Sequence, residues 1–325
     1  MPHKGCPHQC SFCNQKSISG QVKELTVDDI CRAAEKAMEN PQLKGAEIAF
    51  FGGSFTAIDR DYMLSLLKVA SQYVDHSHFN GIRISTRPDY IDDEICRILK
   101  ENNVTAVELG AQSMCDEVLH LNHRGHTVDD VEKAVKMLKA YGFETGLQMM
   151  TGLYGSDKNE SFETAKKIIE LSPDTVRIYP TVVLEKTHLA ELFEKGEYTP
   201  QNVEQAIEVC SQILMMFHKA KIKVIRVGLH SGGSVEEGFV AGAYHPAFKE
   251  LCESRIYYHL ISDELKNKEM TDFVVQVPSG ALSQAVGQKK QNLKKFNEKG
   301  YNLVIKENKE LKKYQVLVKE NIYDT

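Results

Sequence analysis

The stretch VTAVELGAQS, residues 104–113, shows the pattern from which the fold can be predicted. Its first six residues form a short apolar run that is typical of a buried β-strand, and glycine and polar residues end the run. The same unit recurs along the chain, and amphipathic helical patterns separate its copies. The other apolar runs are residues 47–51, 82–86, 145–149, 175–179 and 223–227.

Short strands that alternate with helices predict βα units around a parallel sheet. We therefore expect an α/β fold in which residues 1–230 form a partial (βα)6 barrel similar to a TIM barrel. In such barrels the chemistry gathers at the carboxyl ends of the strands. Those ends carry Gly52, Gly53, Thr86, Arg87, Gln112, Gln148 and Tyr179.

A loop near the start of the chain, Gly5-Cys-Pro-His-Gln-Cys-Ser-Phe-Cys13, places three thiols close together. Thiolates are soft ligands that select iron-sulfur clusters, zinc or cuprous ions. A 4Fe-4S cluster needs four ligands, so a loop that offers only Cys6, Cys10 and Cys13 leaves one iron open to a small molecule. The rival interpretation is a zinc site completed by His3 or His8.

The composition limits the functions that the chain can have. It has 325 residues, 42% of them hydrophobic, which is enough to bury a substantial core. A net charge of -5 gives no whole-protein electrostatic case for binding nucleic acid, so only local patches can supply one. Eight cysteines without a secretory leader favour a reducing compartment. No apolar run reaches the ~20 residues of a membrane helix, so we predict a cytoplasmic protein without a membrane partner.

The spacing Cys-x3-Cys-x-Phe-Cys resembles the signature of radical S-adenosylmethionine (SAM) enzymes. The resemblance implies that Cys6, Cys10 and Cys13 hold a 4Fe-4S cluster whose fourth iron is chelated by SAM, and that Phe12 packs beside the adenine. It also implies that the cluster, reduced by an electron donor of the flavodoxin or ferredoxin type, cleaves SAM reductively to a 5'-deoxyadenosyl radical. The cofactors would supply this chemistry, and the protein would position them.

Further segments extend the resemblance over roughly residues 5–258. FGGSFT, residues 51–56, is similar to the glycine pair that meets the methionine amino group, with Ser54 in place of a frequent glutamate. STRPDYI, VELGAQS, RGHT, LQMMTGLYG and RIYPT resemble segments of the elongator catalytic-subunit family and its bacterial relatives, which modify tRNA wobble uridines.

This second resemblance implies roles for individual residues. The cofactor-binding residues would be Phe12, Gly52, Gly53, Ser54 and Tyr179. The catalytic pocket would be lined by Arg87, Gln112, Arg124 and Gln148. For Arg124 the alternative is a surface residue at the entry to a helix.

The chain departs from the elongator pattern in two places. Nothing after Tyr258 resembles that family's acetyltransferase domain, so we do not expect an acetyl-derived product. A strand of ~5 to 6 residues should precede the cysteine loop, yet only residues 1–5 do. We therefore expect the first strand to be missing or truncated, with the natural start upstream and the edge of the strand at residues 47–51 unpaired and prone to aggregation.

The last part of the chain is predicted to add two smaller units. Residues 231–270 would close the barrel, and residues 271–325 would form a lysine-rich α+β appendage. Its predicted order of strand, helix, basic glycine loop, helix and strand resembles a KH-like RNA-binding unit, with Lys290 in place of the second loop glycine. tRNA phosphates could be contacted by Lys289, Lys290, Lys294 and Lys295. A solvated lysine face is the alternative.

Together these features predict a radical SAM enzyme that acts on tRNA or on a modified nucleobase derived from it. Two alternatives remain open at this point. One is radical SAM chemistry on a small metabolite or a tetrapyrrole. The other is a non-catalytic RNA-binding protein whose thiols hold a structural zinc.

Overall fold

The computed structural model describes residues 6–14, 23–229, 233–266, 268 and 271–320. Its largest sheet is built from β1 (Ala46–Phe50), β2 (Phe79–Thr86), β3 (Val104–Gln112), β4 (Glu144–Thr151), β5 (Thr175–Pro180) and β7 (Lys223–Val227). These strands pair in that order, and all of the pairs are parallel. The sheet curls into a half-barrel in which β1 and β7 are the edge strands among the described residues. The predicted α/β partial barrel is therefore confirmed.

Helices connect the strands as the sequence pattern predicts. Their bounds are α1 (Val27–Met38), α2 (Arg60–Gln72), α3 (Asp93–Glu101), α4 (Asp116–Leu121), α5 (Val128–Ala140), α6 (Lys158–Leu171), α7 (His188–Glu194) and α8 (Val203–Lys219). At the start of α5, Thr127 and Asp130 form a capping box, in which each side chain accepts the other's backbone N–H. Across the described residues, no helix is both long enough and apolar enough to cross a membrane.

The two faces of the half-barrel have opposite chemistry. Successive side chains of a strand point to opposite faces, so alternate residues share one face. The face that packs on the helices is fully buried and apolar, with Ile82, Ile84, Val107, Leu109, Leu147, Met149, Val176 and Ile178. The inner face carries the intervening polar residues Arg83, Glu108, Gln148 and Arg177. The packing therefore places polar side chains inside the half-barrel.

A small antiparallel pair lies beside the strand ends. It consists of β6 (Val182–Leu184) and β8 (Phe239–Gly242), and the short helix α9 (Gly233–Glu237) precedes β8. Val182, Leu184 and Val235 form an apolar cluster against which Leu229 and Tyr244 pack. The sequence pattern did not predict this pair, because two strands of three or four residues are too short to show a period.

A second sheet follows the long helix α10 (Phe248–Leu265). It contains β9 (Asp272–Pro278), β10 (Asn302–Asn308) and β11 (Leu317–Glu320), in the order β10-β9-β11. β9 and β10 are parallel, and β11 is antiparallel to β9. Between β9 and β10 lie α11 (Leu282–Val286) and α12 (Gln291–Glu298), so the predicted order of elements is observed. The predicted helix at residues 279–286 begins three residues later than expected, after Gly280, whose φ is 80°.

The second sheet shares its core with the half-barrel. Phe273, Val275 and Val277 on β9 belong to the same buried apolar cluster as Cys252 and Ile256 on α10. That cluster also includes the apolar face of the half-barrel. The unit boundaries near residues 230 and 270 stay a prediction from the sequence.

Asn292 joins α12 to α10, and its loss should destabilise the second sheet. Asn292 is buried, and its amide nitrogen lies 3.1 Å from the carbonyl oxygens of both Ser254 and Ala285. Asn292→Ala leaves these acceptors without their donor, so we expect a loss of about 1–3 kcal/mol in the free energy of unfolding, measured by urea denaturation. Lys294→Ala, exposed on the same helix, is the control. Equal stability of the two variants would contradict this role.

Candidate active site

A cavity of about 450 Å³ lies at the carboxyl ends of the half-barrel strands. His3, one of the two alternative zinc ligands, lies outside the described residues. Every cluster, SAM-binding and catalytic residue that the sequence analysis proposed lies on the wall of this cavity. These are Cys6, Cys10, Phe12, Cys13, Gly52, Gly53, Ser54, Arg87, Gln112, Arg124, Gln148 and Tyr179. Residues far apart in sequence thus meet at one place, as expected where parallel strands end at the same edge. Their individual roles stay predictions.

The cysteine loop is held in place by its buried Ser11. The Ser11 backbone N–H donates to the carbonyl of Asn122 over 3.1 Å, and its hydroxyl donates to Asn122 Oδ1 over 2.8 Å. The amide of Asn122 in turn donates to the carbonyls of Val118 and Tyr154, both at 2.8 Å. The Ser11 carbonyl accepts from the Leu189 N–H. Because these groups are buried and paired, they define the position of the loop.

All three cysteines of the loop line the same cavity. Cys10 is buried, whereas Cys6 and Cys13 are partly exposed. Cys6 Sγ lies 3.7 Å from Ser54 Oγ, and the Cys13 N–H donates to the Cys10 carbonyl over 3.1 Å, which makes a tight turn. In the part of the chain that the structure describes, no three His, Cys, Asp or Glu side chains are grouped as metal ligands.

Arg124 lies beside the cysteine loop and is only 6% exposed, so the alternative of a surface residue is wrong. Its Nη1 donates to Cys10 Sγ over 3.0 Å, and its Nη2 donates to the Gly110 carbonyl over 2.6 Å. A guanidinium is always charged and presents its donors in a fixed plane. Arg124 therefore places a fixed positive charge next to one of the three sulfurs.

Three buried polar atoms on the cavity wall lack a partner among the described residues. They are Arg87 Nη1, Gln112 Oε1 and Arg124 Nε. The other guanidinium nitrogens of Arg87 donate to the Asp89 carboxylate at 2.9 and 2.8 Å. Gln112 has a φ of 67°, an uncommon conformation for a residue other than glycine. Buried polar atoms without partners are costly, so these three atoms fit a cavity that binds a polar ligand.

Glu108 is the centre of an ion network on the inner face of the half-barrel. Its side chain is 1% exposed. Arg177 donates to both carboxylate oxygens through Nε and Nη2, the latter over 2.8 Å. Gln148 donates over 3.1 Å, and Arg83 Nη1 lies 3.6 Å away. A charge this buried is stable only when it is paired, so the network fixes residues from β2, β3, β4 and β5 together.

The sequence analysis did not propose several residues that line this cavity or contact its lining residues. They include Ser85, Glu108, Met150, Arg177, Val182 and Leu184. Four of these could have been found from strand alternation, because residues two apart in a strand face the same side. Ser85 precedes Arg87 by two residues, and Met150 follows Gln148 by two. Glu108 on β3 and Arg177 on β5 are at positions that alternate with the buried apolar residues and therefore face inward. Val182 and Leu184 belong to the unpredicted β6 and had no such signal.

A parallel half-barrel whose strand ends surround a cavity with a three-thiol loop places the protein in the class of barrel enzymes with their site at the carboxyl ends of the strands. The particular family follows from a comparison with known proteins. Residues 1–168 match the Radical SAM superfamily, and residues 173–258 match the Radical_SAM C-terminal domain. The chain therefore belongs to the radical SAM superfamily and is an enzyme.

Relatives support the resemblance that the sequence motifs indicated. The tRNA uridine(34) acetyltransferase of Methanocaldococcus jannaschii is 35% identical over 185 residues, which cover 51% of this chain and 34% of that protein. An uncharacterized protein of the same organism is 32% identical over 222 residues, covering 65% of this chain and 68% of its own length.

A solved structure is also similar. Elp3 of Methanocaldococcus infernus, with an N-terminal deletion, superposes with a TM-score of 0.61 at 28% identity, over 73% of this chain and 58% of that one. The similarity to the tRNA acetyltransferase and to Elp3 thus extends over only part of those proteins.

His126 should make the stability of the fold depend on pH. It is 4% exposed and its Nε2 contacts the Ala111 carbonyl at 3.2 Å. Burial, together with the charges of Arg124 and Arg87, lowers the pKa of His126 to about 3. The unfolded chain therefore binds a proton on this imidazole that the folded chain does not bind. We expect the free energy of unfolding to fall by up to about 1.4 kcal/mol per pH unit between about pH 6 and pH 4.

Urea denaturation at several pH values measures this dependence. The matched variant His126→Gln keeps an N–H donor for Ala111 but cannot titrate, so its stability should fall less steeply over the same range. Equal slopes for the unchanged chain and the variant would show that His126 is not the group responsible.

Proposed function

We propose that this radical SAM enzyme holds a 4Fe-4S cluster and SAM in the cavity and acts on tRNA or on a nucleobase of tRNA, in the cytosol. One observation carries the proposal. The three thiols, the glycine turn and the arginine and amide side chains all line one cavity, in a chain that matches the superfamily. The tRNA substrate is supported by the named relatives and by the basic loop of the second sheet.

The residues on the wall fit these cofactors. Cys6, Cys10 and Cys13 would hold the cluster, and the turn at Gly52 and Gly53 would bring backbone amides close to SAM. When bound, the cluster and SAM supply a 5'-deoxyadenosyl radical that abstracts hydrogen from the substrate. The electron would come from a donor protein of the flavodoxin or ferredoxin type.

Other residues would position and enclose the ligands. Arg87 Nη1 and Gln112 Oε1 would gain the partners that they lack. Gln148 and Tyr179 would contact ligands from the inner face, and burial raises the pKa of Tyr179, so its hydroxyl stays protonated. The apolar side chains Val182, Leu184, Leu229 and Val235 line the same cavity and would keep water away from a reactive radical.

Phe12 has surroundings that suit a place beside the adenine. It is partly buried, lines the cavity, and packs against an apolar cluster that includes Val183 and Leu189. The ring is thus supported from behind by aliphatic side chains. An aromatic ring held in this way can stack on a flat heterocycle without losing much conformational freedom.

The backbone and charge of the loop between α11 and α12 support a role in RNA binding. Lys289 and Lys290 are exposed and have φ values of 52° and 61°, the left-handed conformation that glycine favours. Lys290 therefore takes the backbone conformation of the glycine that it replaces. On α12 and the turn after it, Lys295 and Lys299 lie over the ring of Tyr258, at 5.7 and 5.3 Å from its centre. The proposed phosphate contacts are Lys289, Lys290, Lys294 and Lys295.

Anaerobic reconstitution with iron and sulfide tests the cofactor. We expect brown 4Fe-4S absorbance and, after reduction with SAM present, release of 5'-deoxyadenosine. Cys10→Ala should lose both, because it removes one of three ligands. Cys115→Ala, a partly exposed thiol outside the loop, is the control and should keep both. A colourless protein that holds zinc after reconstitution would instead favour the structural-zinc alternative.

The basic loop is tested by RNA binding. Lys289→Ala/Lys290→Ala should weaken the binding of a transcribed tRNA and lower its salt dependence, because two phosphate contacts are lost. Alanine keeps the backbone preference of lysine at a left-handed position, so the loop itself should not change. The double variant Lys68→Ala/Lys223→Ala removes the same charge from exposed sites elsewhere and should bind normally. Unchanged, salt-dependent binding by the loop variant would remove these lysines from the interface.

A further inference from the structure

Arg226 lies on β7, the edge strand of the half-barrel, opposite Arg177 on β5. The two arginines are partners in the strand register, so both side chains are on the inner face. Arg226 Nε donates to the Gly228 carbonyl over 3.2 Å, and Leu229, one residue further on, lines the cavity. Arg226 thus stands at the open edge of the half-barrel, next to the cavity wall.

The arginines of the inner face differ in whether they have a carboxylate partner. Arg177 is paired with Glu108, and Arg83 is paired with Glu47 and Glu144. Within the described ranges, Arg226 has no carboxylate partner. Of these three inner-face arginines, Arg226 is thus the one without a carboxylate within ion-pair distance among the described residues, and it lies at the β7 edge.

Holding two arginines side by side on a partly buried surface is unfavourable. Burial lowers the pKa of Arg226, the neighbouring Tyr179 raises it, and the positive charge of Arg177 lowers it. A bound anion would relieve the two lowering effects, because it would replace lost hydration and offset the repulsion. A guanidinium without a carboxylate partner, beside a second guanidinium, therefore suits a site for an anionic ligand.

The anion of the cofactor is expected elsewhere. The cysteine loop contacts residues that follow the first and third strands of the sheet. Cys6 contacts Ser54, after β1, and Cys10 contacts Arg124, after β3. β7 lies three strands beyond β3 in the sheet order, about 14 Å along the sheet at ~4.8 Å per strand. A carboxylate that chelates a cluster at those thiols would not be the anion at Arg226. The remaining source is the substrate, and in a tRNA the anion is a phosphate.

We propose that Arg226 binds a backbone phosphate of the RNA substrate where the RNA enters the half-barrel at its β7 edge. This inference rests on the proposed function, since it takes RNA as the substrate. A guanidinium suits the role because its planar donors can hold two phosphate oxygens at once. Arg177, fixed by Glu108, would keep the side chain of Arg226 turned toward the incoming phosphate through repulsion.

The test uses the full chain with its cluster reconstituted and a transcribed tRNA as the probe. Binding is measured over a series of salt concentrations for the unchanged chain, Arg226→Gln, Arg226→Lys and the control Lys223→Gln. Lys223 is exposed at the other end of the same strand. Thermal unfolding of each variant checks that it folds, and calorimetry measures its affinity for SAM.

We expect Arg226→Gln to weaken RNA binding and to lower the slope of log K against log salt by about 0.7 to 0.9, the value of one phosphate contact. Arg226→Lys should have the same salt slope as the unchanged chain, because it keeps the positive charge. It should still bind RNA more weakly than the unchanged chain, because lysine lacks the planar guanidinium that can hold two phosphate oxygens. Lys223→Gln should resemble the unchanged chain, and all variants should bind SAM with the same affinity.

Three results would overturn the inference. An unchanged slope in Arg226→Gln, with normal RNA binding by the unchanged chain, would reject Arg226 alone and leave the proposed function standing. A loss of SAM affinity with RNA binding intact would assign Arg226 to the cofactor. No RNA binding by the unchanged chain would reject the RNA substrate and Arg226 together.

Discussion

The site depends on how the buried carboxylate of Glu108 is neutralised. A lone carboxylate at 1% exposure would be strongly destabilised, and its partners come from the strands on both sides. Arg83 on β2, Gln148 on β4 and Arg177 on β5 all meet it. This network holds the inner face of the half-barrel in one arrangement. The residues that line the cavity therefore lie next to polar side chains whose positions the Glu108 network fixes.

A second constraint connects the cysteine loop to the rest of the barrel. Residues 122–126 follow the short helix α4, and several of them reach the loop or the strand ends. Asn122 pairs with Ser11, Arg124 reaches Cys10, and His126 contacts the carbonyl of Ala111. Gly125 has a φ of 71°, a left-handed conformation that favours glycine, and a Cβ there would lie 2.4 Å from the imidazole of His8. This short segment thus holds the cysteine loop, which carries the proposed metal ligands, next to the strand ends.

Strand alternation explains both what could be predicted about the site and what could not. Residues at strand ends, such as Gln112 and Tyr179, were predicted because glycine and polar residues interrupt an apolar run there. Arg177 and Glu108 lie inside such runs, and only the alternation of side chains along the strand, not the apolar run itself, marks them as inner-face residues. Arg124 was assigned to the cavity wall only by resemblance. Its contact with Cys10 joins residues 114 positions apart, which no local pattern can show.

By itself the sequence determined the strand and helix order, the three-thiol loop and the superfamily, because these are local patterns of polarity and spacing. It also determined the order of elements in the lysine-rich second sheet. Only the tertiary structure decided which polar side chains face inward together, that β6 and β8 pair beside the cavity, and that Arg226 lies opposite Arg177 without a carboxylate partner among the described residues. These depend on strand register and on the curl of the sheet, which bring together residues that are distant in the chain.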